Sequence, residues 1–149
     1  MQRGKAAVVE NGCIRHFVDG LVDVSGSPNL RGYCATALSI LSSPFFATIM
    51  ECGGIPAMQK SLEFDSVGSV RVSSGEALRA ILTACPEAGQ RIDPNVAIRT
   101  LHYRLTHDAG VEAAESNLLL ADALCQSCAP MFPDAFADST KTWRYVVER

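Results

Sequence analysis

Apolar residues recur along this chain at helical spacing, and the recurrence is itself repeated. Ile14, Phe17, Val18, Leu21 and Val22 stand at i, i+3, i+4, i+7 and i+8, which places one apolar stripe on a helix of about ten residues. Residues 51–62, Glu-Cys-Gly-Gly-Ile-Pro-Ala-Met-Gln-Lys-Ser-Leu, carry the same marks 41 residues later: Gly53 falls under Gly12, Ile55 under Ile14, Met58 under Phe17 and Leu62 under Leu21. A further 43 residues on, Ile98, Leu101 and Leu105 repeat the spacing. A fixed period of about 40 residues is the signature of a solenoid, whose units bury their apolar faces against one another.

Within this frame each copy predicts three helices. In the first, a short helix over 3–10 is closed by Asn11-Gly12, a pair suited to left-handed backbone after a helix end. The middle helix carries the stripe from Ile14 to Val22, and the loop 25–29 follows, with Gly26 and Pro28 as breakers and Asn29 as the expected cap. A third helix over 30–42 bears Tyr33, Cys34, Ala37, Leu38 and Leu41 on its apolar side. Its small residues let a neighbour approach closely, so it is expected to be a buried central helix. Ser42-Ser43-Pro44 then predicts a cap and a proline at the first position of a short helix over 45–51.

The second copy places its middle helix at 55–64 and its third at about 70–84, with Ala77, Leu78 and Ile81 standing for Ala37, Leu38 and Leu41. In the third copy Asp93-Pro94 replaces the Gly-Gly turn, the middle helix covers about 96–105, the loop 106–110 and the third helix about 112–128, where Ala123-Leu124 takes the place of Ala37-Leu38. Pro44, Pro86 and Pro130 mark the copy boundaries, giving units at about 3–43, 44–85 and 86–129 and a partial unit at 130–149. In that last stretch 131–137 predicts a first helix, and Trp143 and Val146 repeat the spacing of a middle one. Because terminal units of a solenoid normally carry a polar outer face, a chain ending partway through a unit is expected to be a piece of a longer array, or to pair end to end with further repeats or another chain.

Three helices per roughly 42 residues, with Ile49-Met50-Glu51-Cys52-Gly53-Gly54-Ile55-Pro56 before the middle helix and Glu76-Ala77-Leu78-Arg79-Ala80-Ile81-Leu82 on the third, resemble the armadillo repeat. HEAT repeats, the two-helix relatives, are the runner-up; the glycine before the middle helix and the short first helix favour the armadillo form. The resemblance spans almost the whole chain and implies an all-α, right-handed armadillo-like α-solenoid. It also implies that the third helices line a concave groove holding extended peptides. In the importin-alpha branch that groove carries a Trp just before the Ala-Leu pair and an Asn four residues later. Those places hold Thr36, Glu76 and Asp122, and Ile40, Ala80 and Gln126, in this chain. None matches, so the aromatic ladder that stacks on lysine stems is absent. With Ser39, Ser43, Arg79, Thr83 and Cys125 beside them, these positions form the candidate groove face, mixed and mildly acidic.

Composition narrows the function classes. With 48% hydrophobic and 19% charged residues the chain can bury a core. The apolar stretches 35–41 and 118–124 fall well short of the roughly 20 residues that span a bilayer. The N-terminus lacks a secretory apolar region, so a cytoplasmic protein is expected, with nuclear or ciliary placement left open. A net charge of −3 with 13 scattered basic residues offers no footprint for nucleic acid or an anionic membrane.

Catalytic chemistry is not expected. Cys125-Gln126-Ser127-Cys128 is a Cys-x-x-Cys, but no second such pair or His-x3-5-His completes a zinc spacing. The six cysteines are read as free thiols that pack. His16, His102 and His107 form no triad pattern, and there is no phosphate loop or Gly-x-Ser-x-Gly. The expectation is a non-catalytic scaffold without cofactor or metal that binds a protein or peptide. The alternatives are a recruiting segment of a larger protein, such as a ubiquitin ligase or an axonemal or cytoskeletal adaptor, and a thiol-based metal or redox protein using Cys125 and Cys128.

Overall fold

The computed structural model describes residues 12–107 and 110–128, and among these no strand occurs. The expected short helix over 3–10 and the partial unit over 130–149 lie outside the described residues. The described chain is all-helical: α1 Cys13–Val22, α2 Pro28–Leu41, α3 Phe46–Glu51, α4 Gly54–Phe64, α5 Gly68–Ala84, a 3-10 helix Pro86–Arg91, α6 Pro94–His107 and α7 Val111–Cys128.

The middle helices α1, α4 and α6 start in two different ways. Gly12 and Gly53, at the heads of α1 and α4, have φ of 72° and 79°, a left-handed geometry that side chains with a Cβ adopt only at a cost. Gly54 adds a second constraint, since a Cβ there would collide with the side chain and carbonyl of Ile49 on α3. At the head of α6 the glycine is dispensed with. Asp93 Oδ1 accepts from Asn95 N at 3.0 Å and from Val96 N at 3.4 Å, so a side-chain cap with Pro94 behind it replaces the turn.

Several boundaries differ from the sequence expectation. The cap of α2 is Ser27 rather than Asn29: Ser27 Oγ accepts from Leu30 N at 3.1 Å, and Pro28 occupies the first turn. Asn29 lies inside the helix, because proline supplies a helical φ and lacks the N–H that would go unpaired there. Pro44 does not open α3. Residues 42–45 continue the turn of α2, with Ser42 N donating to Leu38 O and Phe45 N to Leu41 O, both at 2.9 Å. The segment after Pro86 is 3-10 rather than α-helical, and α6 begins and ends two residues beyond its expected limits.

The helices pack in series. α2 packs against α5 and α5 against α7, while α1 contacts α4 and α4 contacts α6; within copies α1 lies on α2, α4 on α5 and α6 on α7. Positions one period apart share the same environment: Ile14 and Ile55, Leu21 and Leu62, Met58 and Leu101, and Leu38, Leu78 and Leu124 are all buried. Ser61 and Ser74 are buried hydroxyls at the α4–α5 contact, and they satisfy each other at 2.8 Å.

Polar side chains join the loop ends. Arg31 of α2 donates from Nε to Asp65 Oδ2 at 2.8 Å and from Nη1 to Gly26 O at 2.9 Å, and Asp65 Oδ1 accepts from Val67 N at 2.9 Å. One carboxylate thus ties the first copy to the second and orders the entry to α5. Arg71 stands 40 residues after Arg31 and donates to Asp65 O at 2.8 Å. Arg104 of α6 donates to the carbonyls of Leu62 and Glu63 at 3.1 and 2.7 Å, capping the C-terminal end of α4.

Candidate interaction face

The candidate groove residues lie on α2, on the turn after it, on α5 and on α7, the three helices that pack in sequence. Thr36, Ile40, Ser43, Glu76, Thr83, Asp122 and Gln126 are exposed, whereas Ser39, Arg79 and Ala80 are half-buried. The side chains of Cys125 and Cys128 lie outside the described residues, and with them the Cys-x-x-Cys geometry. Three polar groups of the face are turned back on their own segment. Ser39 Oγ donates to Thr36 O at 2.8 Å, Thr83 Oγ1 to Arg79 O at 2.9 Å and Gln126 Nε2 to Asp122 Oδ2 at 3.2 Å. Glu76 and Arg79, one turn apart on α5, form no ion pair with each other.

Tyr33 overturns one sequence expectation. Placed on the buried stripe of α2, it is in fact 74% exposed. An apolar stripe assigned from spacing has uncertain edges. Here Cys34 and Leu38 face the core, and Tyr33 lies at the margin that α5 leaves uncovered. Leu119 on α7 is likewise exposed, at 42%. Tyr33 and Leu119 occupy equivalent positions, three residues before Thr36 and Asp122, with Ser73 between them on α5. The face therefore has three rows: Tyr33, Ser73 and Leu119; Thr36, Glu76 and Asp122; Ile40, Ala80 and Gln126. The middle row is polar with two carboxylates, and exposed apolar side chains stand on either side of it. Sequence reasoning missed the first row, although its fixed offset from the Ala-Leu pair was present in the sequence.

Of two hollows, one meets this surface and the other lies away from it. One of about 310 Å³ opens between the C-terminal ends of α5 and α7 and is lined by Leu82, Thr83, Pro86, Ala123, Gln126 and Ser127. It is continuous with the candidate face through Thr83 and Gln126. The other, of about 230 Å³, lies at the loop end beside the Arg31–Asp65 pair, where Val24 and Phe64 are exposed. Its charged pair is already committed to joining the first two copies.

His107 stacks on Tyr103 with centroids 4.1 Å apart and planes 12° from parallel, and its Nδ1 lies 2.9 Å from the Tyr103 carbonyl oxygen. Burial pushes the Cys34 thiol above its ordinary value, which makes it less nucleophilic. Among the described residues no three His, Cys, Asp or Glu side chains converge as a metal site would require, and no helix is long and apolar enough to cross a membrane. Compared with known families, curated proteins and solved structures, the chain matches none of them.

Proposed function

We propose that the chain is a non-catalytic interaction scaffold, an armadillo-like array of stacked units that holds an extended segment of a partner protein along α2, α5 and α7. The observation that carries this reading is the triple row of equivalent positions on three helices packed in series. Tyr33, Ile40 and Leu119 are large apolar side chains left in water there. Scattered exposed apolar residues need no explanation, but their alignment on one face of packed helices supports reading that face as an interaction surface. Serial packing of α1, α4 and α6 beside α2, α5 and α7 supports the solenoid reading, since stacked units make their contacts with adjacent units.

The reading is tested by affinity capture from a cell extract, comparing the unmodified chain with Glu76→Lys and Arg79→Glu. Glu76 is exposed and Arg79 half-buried, and both substitutions leave the buried leucines intact, so circular dichroism should remain unchanged. Recovery of a specific partner should fall with at least one of them. Equal recovery with folded variants refutes the assignment of this face.

A further inference from the structure

We propose that the face selects its partner by two points: an apolar side chain seated in the hollow between the ends of α5 and α7, and a cationic side chain placed over Glu76 and Asp122, two or three residues away on an extended segment. This rests on the scaffold reading and adds what the partner must carry.

The hollow supplies the first point. At about 310 Å³ it has room for one large side chain, and Leu82, Pro86 and Ala123 provide apolar lining. The Thr83 hydroxyl and Gln126 amide at its rim are already hydrogen-bonded to their own helices, so an apolar occupant strands neither of those donors.

The carboxylates supply the second point. Glu76 and Asp122 are exposed, occupy equivalent positions on packed helices, and form no ion pair among the described residues. Packed helices lie about 8–10 Å apart, so one cation can approach both. Among the described residues Glu115 adds a third negative charge on α7, beside the half-buried Arg79. A surface of this sign favours a cationic partner and repels an acidic one.

The two points are at matching distance. Asp122 to Gln126 is one turn, about 6 Å along the axis, and Glu76 to Thr83 is two turns, about 10 Å. An extended chain advances about 3.3 Å per residue, which sets the spacing at two or three residues.

The test selects a displayed random-peptide library on the full chain and measures the enriched peptides by fluorescence polarisation against variants. Enriched peptides are expected to pair Lys or Arg with Leu, Ile, Phe or Met two or three residues away. Binding should weaken at least about tenfold on Glu76→Lys/Asp122→Lys, an effect that shrinks in high salt. It should weaken similarly on Ser127→Trp, which fills the hollow. Exchanging the cation of a peptide for Glu should restore binding to the charge-reversed variant, a gain that an unfolded variant cannot show. Peptides that lose binding on Ile40→Asp or Leu119→Asp yet lack the cation–apolar pair overturn the two-point proposal and leave the scaffold reading standing. A selection yielding no peptide sensitive to any of these substitutions removes both.

Discussion

Replacing Asp65 by alanine tests how the first two copies are held together. The substitution removes the acceptor for Val67 N at the entry to α5 and the partner of Arg31 Nε at 2.8 Å. Losing this Asx-turn hydrogen bond costs about 1 kcal/mol. The second effect is larger, because the Arg31 side chain is only 12% exposed and its partner 4%. Breaking a fully buried pair costs about 3–5 kcal/mol. Arg31 retains its bond to Gly26 O and some contact with water, so the total should be about 3 kcal/mol. For a chain of this size that lowers the melting temperature by roughly 10 °C. Arg31→Met should cost less, about 2 kcal/mol, because Asp65 keeps its bond from Val67 N. Urea unfolding followed by circular dichroism, on both single variants and the double variant, completes the cycle. The double variant should lose about 1–2 kcal/mol less than the sum of the singles. Additivity within about 0.5 kcal/mol would refute the coupling and leave apolar packing alone to join the copies.

Three further outcomes follow from buried and capped groups. Leu78 is 1% exposed where α5 meets its neighbours, so Leu78→Asp buries an unpaired carboxylate at a cost of several kcal/mol and should abolish the cooperative unfolding transition. Among the described residues Thr100 Oγ1 is buried without a hydrogen-bond partner beside a space of about 10 Å³ lined in part by Leu62, Leu78 and Leu101; Thr100→Val should therefore raise stability by about 1 kcal/mol, and a loss would show the hydroxyl to be engaged. Hydrogen bonds, first from the Ser25 side chain and then from backbone N–H groups, hold the Asp23 carboxyl below its ordinary value of 3.8. A depressed carboxylate contributes stability above its unfolded value, lost as pH falls through the folded one. NMR titration should accordingly show the Asp23 pKa rising in Ser25→Ala, and an unchanged pKa would remove Ser25 as the cause.

The helices were legible because burial imposes a period on apolar residues. Ile14, Leu21, Ile55, Met58, Leu62 and Leu101 are buried where the stripes put them. Helix starts were less legible, since several residues near each one can cap. Ser27 prevails over Asn29 because Pro28 takes the first turn, and Asp93 performs by side chain what Gly53 does by backbone geometry. Of the candidate face, the positions came from the resemblance, while Tyr33 was assigned to the core because a helical stripe does not announce its own edges.

Local order in the chain sufficed for the helices of the described residues, because i, i+3 and i+4 spacing acts within a single helix. Which side of each third helix stays in water depended on where its neighbours lie. The packing of α2 on α5 and of α5 on α7 leaves Tyr33, Ile40 and Leu119 uncovered. The Arg31–Asp65 pair, 34 residues apart, exists only through that same packing. The hollow beneath Gln126 likewise belongs to two helix ends, and no single stretch of sequence contains it.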